Sequence, residues 1–92
     1  MLVIWSVSAE RDLEAITEYI ARDNLQAALA LDDFIRDAAN GLPAFPRQGK
    51  PGRIPGLREL VVHENYIVVY EIAEDEINII TVLHAARQWP TE

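Results

Sequence analysis

All four glycines and four of the five prolines of this 92-residue chain fall between residues 41 and 56. No helix and no central strand tolerates that density, because proline withholds an N–H and glycine gives up the most backbone entropy. The chain is therefore expected to divide into an ordered first half, a loop, and an ordered last third. Long irregular loops are uncommon in compact domains and tend to carry function. The same stretch gathers positive charge. Residues 47–63 hold Arg47, Lys50, Arg53 and Arg58 against the single acid Glu59, net +3, whereas residues 1–46 and 64–92 each carry a net −5.

Before the loop, Leu2-Val3-Ile4-Trp5 reads as a short strand. Ser8 is the expected N-cap of a helix from Ala9, with Glu10, Asp12 and Glu14 near its positive end. Leu13, Ile16, Tyr19 and Ile20 recur at helical spacing and form one apolar stripe. Asp23-Asn24 interrupts it, and Asn24 caps a second helix from Leu25 whose apolar positions are Ala28, Leu31, Phe34, Ile35, Ala38 and Leu42. So short a break predicts an antiparallel helical hairpin. After the loop come three β-rich runs, Leu57–His63, Tyr66–Ala73 and Ile77–Leu83, separated by turns at Glu64-Asn65 and Glu74-Asp75. The expected fold is α+β in the order β-α-α-β-β-β, one domain spanning 1–92.

The last two runs are apolar on both faces. Tyr66, Val68, Tyr70 and Ile72 alternate against Ile67 and Val69, and Ile77, Ile79 and Leu83 against Ile80 and Val82. A sheet covered on one side should alternate polar with apolar. One face can pack on the helices; the other needs either a partner protein or the chain's own tail, Gln88-Trp89-Pro90.

Composition narrows the chemistry. There is no cysteine, so disulfides, thiolate metal sites and a cysteine nucleophile are excluded. The N-terminus lacks a signal-peptide pattern and the apolar runs are too short for a membrane span, which predicts a cytoplasmic protein. A net charge of −7 disfavours a general electrostatic grip on nucleic acid. A local site for a phosphate or an acidic partner remains open, with Arg47, Lys50, Arg53 and Arg58 as its candidates. Arg58 begins a strand and can grip an anion; the plainer reading pairs it with Glu59 or a helix carboxylate. Arg87 follows the last strand and could converge with Arg58 on one cleft, or simply cap the tail. His63 and His84 sit at strand ends, where either could move a proton or merely hydrogen-bond. No residues show metal-ligand spacing and Gly49-Lys50-Pro51-Gly52 is not a phosphate-cradling motif, so neither metal nor cofactor is expected.

Particular words in the chain resemble the RelE/ParE superfamily of toxins from bacterial type II toxin–antitoxin pairs. They are Ala9…Asp12-Leu13…Ile16…Tyr19-Ile20, Asp23-Asn24…Ala27-Ala28, Gly52-Arg53…Pro55-Gly56-Leu57-Arg58-Glu59-Leu60, Tyr66-Ile67-Val68-Val69-Tyr70 and Ile79…Val82-Leu83-His84-Ala85-Ala86-Arg87. The resemblance covers nearly the whole chain and is closest to the ParE-like branch. It implies a plasmid-stabilisation type of toxin, held in a hetero-oligomer by an antitoxin whose C-terminal segment wraps it. It further implies a choice between two targets, or else an inactive member that only binds its partner. ParE-like members poison DNA gyrase and are not nucleases. RelE-like members cut mRNA on the ribosome without metal; Arg58, Arg87 and His84 would then be the catalytic residues.

Overall fold

The computed structural model describes residues 1–90. Strand β1 (Leu2–Trp5) leads through Ser6 into helix α1 (Val7–Ala21), and Arg22, Asp23 and Asn24 separate it from α2 (Leu25–Asn40). A single 3-10 turn, Leu42–Ala44, opens the glycine- and proline-rich segment. Strands β2 (Lys50–Pro51), β3 (Arg58–His63), β4 (Tyr66–Ile72) and β5 (Glu76–His84) complete one five-stranded sheet in the order β1-β5-β4-β3-β2. β1 lies parallel to β5 and the remaining pairs are antiparallel. The expected α+β order is observed, extended by the two-residue β2. Pro51 is tolerated there because β2 is an edge, where one missing N–H faces no partner strand.

The helix boundary differs from the sequence expectation. Ser6, not Ser8, caps α1: its Oγ accepts the Ala9 N–H at 2.9 Å. Ser6 also donates from Oγ to the Ile80 carbonyl at 3.0 Å and from its backbone N–H to the Ile79 carbonyl at 3.1 Å. This cap therefore fastens the start of α1 to β5, and no cap at Ser8 could reach it. Asn24 caps α2 as expected, accepting the Ala27 N–H through Oδ1 at 3.0 Å. Ser6→Ala should cost about 1–2 kcal/mol, the usual price of a lost N-cap with a carbonyl left short of a donor. Ser8→Ala should shift the urea midpoint hardly at all, and equal effects of the two would refute this assignment.

The helices cover one face of the sheet. Ala9, Leu13, Ile35 and Ala39 pack on Val62, Val68, Tyr70, Ile77, Ile79 and Val82, with Leu42 closing the end. Tyr19 and Phe34, expected on the inward stripes, are instead exposed. Arg36 ties three elements together. It pairs with Glu10 on α1 at 2.8 Å and Asp32 on α2 at 3.0 Å, and lies 5.1 Å over the Trp5 ring of β1. The Glu10 hydrogen bond is the largest influence raising its pKa further above the ordinary arginine value.

Strand β5 breaks its alternation once. Val69 faces Thr81 but Tyr70 faces Ile79, so Ile80 is an extra residue against β4. A bulge of this kind flips the facing of everything after it. Val82 accordingly joins the helix-side core and Leu83 the opposite face, the reverse of simple alternation. That opposite face is capped by the chain's own tail. Trp89, with Leu57 and Ile80, packs on Ile67, Val69 and Leu83. No described helix is long and apolar enough to cross a membrane.

Candidate functional site: a pinned cationic loop

The segment from Pro46 to Arg58 is irregular apart from β2 and is held by side chains at three points. The first is Tyr70, fully buried on β4. Its hydroxyl accepts the Gly49 N–H at 3.0 Å and donates to the Pro46 carbonyl at 2.6 Å. Glycine is required at 49 because a Cβ there would stand 2.7 Å from that hydroxyl. The second is Arg58. Its Nε donates to the Gly49 carbonyl at 2.9 Å and its Nη2 to the Arg47 carbonyl at 3.1 Å. The third is Glu59, only 3% exposed, which accepts the Arg53 N–H at 2.9 Å and takes the Arg53 guanidinium through Nε and Nη2 at 2.8 and 2.9 Å. A fork on a carboxylate is the strongest form of ion pair. The Arg53 hydrogen bond holds the Glu59 carboxyl below its ordinary pKa, against the burial that would raise it. Gly56, at φ 88°, makes the turn into β3 in a region where side-chain-bearing residues are strained.

The four candidate cations therefore split by role. The guanidinium groups of Arg53 and Arg58 are engaged within the chain, by Glu59 and the Trp89 carbonyl and by loop carbonyls respectively. Arg47 and Lys50 are exposed, and among the described residues neither enters an ion pair. Arg58 is paired with neither Glu59 nor a helix carboxylate; Arg53 takes Glu59 instead. Beside the loop a shallow pocket is lined by Arg47, Pro51, Gly56, Leu57, Arg58 and Ile72.

His84 and Arg87 lie elsewhere. Register places Arg58 opposite Tyr70 and His84 opposite Tyr66. Tyr66 and Tyr70 are four positions apart on β4, about 14 Å at ~3.4 Å per residue. Of the two readings of Arg87, convergence with Arg58 on one cleft finds no support, since the two line different pockets. Arg87 and His84 instead line a groove of about 390 Å³ against α1, with Asp12, Ile16, Tyr19 and Tyr66. The Tyr66 ring stands between the two histidines, its centroid 6.0 Å from His63 and 5.4 Å from His84. Asp12 is engaged by the Thr81 hydroxyl. Among the described residues no three His, Asp or Glu side chains gather as a metal site would need.

Sequence reasoning missed Tyr70 and Glu59 as loop anchors. Glu59 left a trace, being the lone acid in a cationic stretch. Tyr70 left none, since it reads as one more apolar position in β4.

Residues 3–89 match the family model described as the ParE toxin of the type II toxin–antitoxin system parDE. The chain is 41% identical over 87 residues to Y4kP of Sinorhizobium fredii, described as a candidate toxin, covering 94% of this chain and 90% of that protein. It is 35% identical over 85 residues to toxin RelE2 of Caulobacter vibrioides, covering 92% and 96%. Among solved structures, a chain of the chromosomal ParDE system of P. aeruginosa has the same fold, with TM-score 0.83 at 24% identity over 91% of this chain and 95% of that one. A chain of the RelBE2 toxin–antitoxin complex of Mycobacterium tuberculosis aligns at TM-score 0.58 and 23% identity, over 90% and 95%.

Proposed function

The chain belongs to the ParE toxin family of type II toxin–antitoxin systems, and from that premise we propose that it arrests growth by binding DNA gyrase, and that a cognate antitoxin neutralises it. The observation carrying this reading is the separation of Arg58 from His84 and Arg87. Strand scission by 2′-hydroxyl attack needs a phosphate-gripping cation and a proton-moving group within a few ångströms of one another. Here the loop cations and the histidine stand at opposite ends of β4, and Arg58 is occupied with backbone carbonyls. What the loop offers is a fixed platform bearing Arg47 and Lys50, suited to recognition of an acidic surface without chemistry.

Purified protein should block supercoiling by gyrase or trap it on cut DNA. Reversing both exposed charges, Arg47→Glu with Lys50→Glu, should weaken that inhibition at least tenfold while the melting temperature stays within a few degrees. Gyrase that remains fully active at excess protein would overturn the reading.

A second reading rests on the groove of His84, Arg87 and Tyr66, where a cation and a histidine do share one wall. On it the chain is a ribosome-dependent mRNA endonuclease with Arg87 on the phosphate and His84 moving the proton. Cut codons in translating ribosomes, abolished by Arg87→Ala, would favour it; intact message would dismiss it.

A further inference from the structure

The tail that covers the sheet's outer face is lightly held. It reverses at the end of β5, where the Arg87 N–H donates to the His84 carbonyl at 2.9 Å. Of residues 85–90 only Trp89 is even partly buried. Its ring rests on Ile67, Val69 and Leu83. Its carbonyl accepts one hydrogen bond, from Arg53 Nη1 at 3.2 Å. Segments with so few buried contacts open at far lower cost than the whole fold. The apolar surface also extends past the tryptophan, because Val61, opposite Ile67 in register, is exposed.

Arg53 links this tail to the loop. The guanidinium that reaches Trp89 is the one forked onto Glu59, and Glu59 in turn holds the Arg53 N–H. Loop and tail therefore share one side chain, although they lie 36 residues apart in sequence.

We propose that residues 88–90 are a displaceable latch coupled to the cationic loop through Arg53. Closed, the latch covers Ile67, Val69 and Leu83 and occupies one Arg53 donor. Open, it presents an apolar patch with a guanidinium N–H at its rim. That surface suits a ligand with the tail's own chemistry, an aromatic or large aliphatic group followed by an oxygen acceptor. The latch is a property of the free chain and holds whichever target the toxin has.

Coupling between two sites is reciprocal, so disturbing either must move the other. In a Trp5→Phe background Trp89 is the sole tryptophan. Adding Arg53→Gln should then at least double quenching of Trp89 by acrylamide. Conversely, Trp89→Ala should speed amide exchange at Arg53 at least fivefold, while the Val68 and Tyr70 amides keep their native rates. The dye 8-anilinonaphthalene-1-sulfonate, aromatic and anionic, serves as probe of the opened surface. It should bind Trp89→Ala at least fivefold more strongly than wild type, and less strongly again once Arg53→Gln is added. Trp89→Thr replaces Trp89→Ala if the latter does not fold. Unchanged Trp89 quenching, unchanged Arg53 exchange, exchange that rises equally at Val68 and Tyr70, or equal dye binding would each overturn the proposal.

Discussion

Gly49→Ala should lower stability by about 3 kcal/mol, one of the largest effects available to a single methyl group in this chain. Its Cβ would meet the Tyr70 hydroxyl at 2.7 Å, the Tyr70 ring at 2.8 Å and the Glu59 carbonyl at 2.9 Å. None of these can retreat. Tyr70 is fully buried, and the Glu59 carbonyl is backbone of β3. Overpacking of this kind costs ~1–3 kcal/mol, and each buried polar group stripped of its partner about 1–3 more. The Tyr70 hydroxyl and the Gly49 N–H both stand to lose theirs. In a domain of this size the melting temperature should fall by roughly 15 °C. Gly56→Ala is the control. No atom lies within 4 Å of a Cβ there, so only the positive φ is penalised, by about 1 kcal/mol. A Gly49→Ala protein that melts within about 3 °C of wild type would show that the loop is not pinned as described.

Arg53→Ala should be nearly as damaging, and its effect should depend on pH. Removing one partner of a fully buried pair costs ~3–5 kcal/mol, because the other charge stays behind. The Arg53 side chain is 35% exposed, so screening brings the expectation down to about 2–3 kcal/mol at pH 7. Arg53 holds the Glu59 carboxyl below the ordinary value of 4.5. A carboxyl depressed by folding binds fewer protons folded than unfolded, so its stabilisation is complete above the ordinary value and is lost as the pH falls toward and through the folded one. The melting temperatures of wild type and Arg53→Ala should thus stand far apart at pH 7 and draw together below about pH 4.5. A gap independent of pH would mean that the pair contributes packing alone.

Much of this architecture is legible in the residues. The apolar runs, Asn24 and the crowding of glycine and proline give the element order, because each is a local signal with a local cause. Three features are not local. Ser6 outcompetes Ser8 as a cap because only Ser6 can also reach the Ile79 and Ile80 carbonyls, across more than seventy residues. The bulge at Ile80 reverses Val82 and Leu83, yet in sequence it is one more apolar residue in an apolar run. The partners of Arg53 and Arg58 depend on how the loop folds back over β3, and spacing alone cannot tell an arginine that binds a ligand from one that binds its own backbone. For the same reason spacing left open whether Arg87 meets Arg58 or lies apart from it. In the fold they line separate pockets, Arg58 beside the loop and Arg87 against α1.

The division of the loop's cations has a consequence for how such a chain can diversify. Arg53 and Arg58 belong to the scaffold, together with Gly49, Glu59 and Tyr70, and substitution there is punished by instability before recognition is ever tested. Arg47, Gln48 and Lys50 are exposed on a backbone that other residues hold in place. A library randomised at those three positions should consist largely of folded proteins that differ in what they bind. New specificity could then arise by drift at the tip of the loop, with the stability of the fold left as inherited.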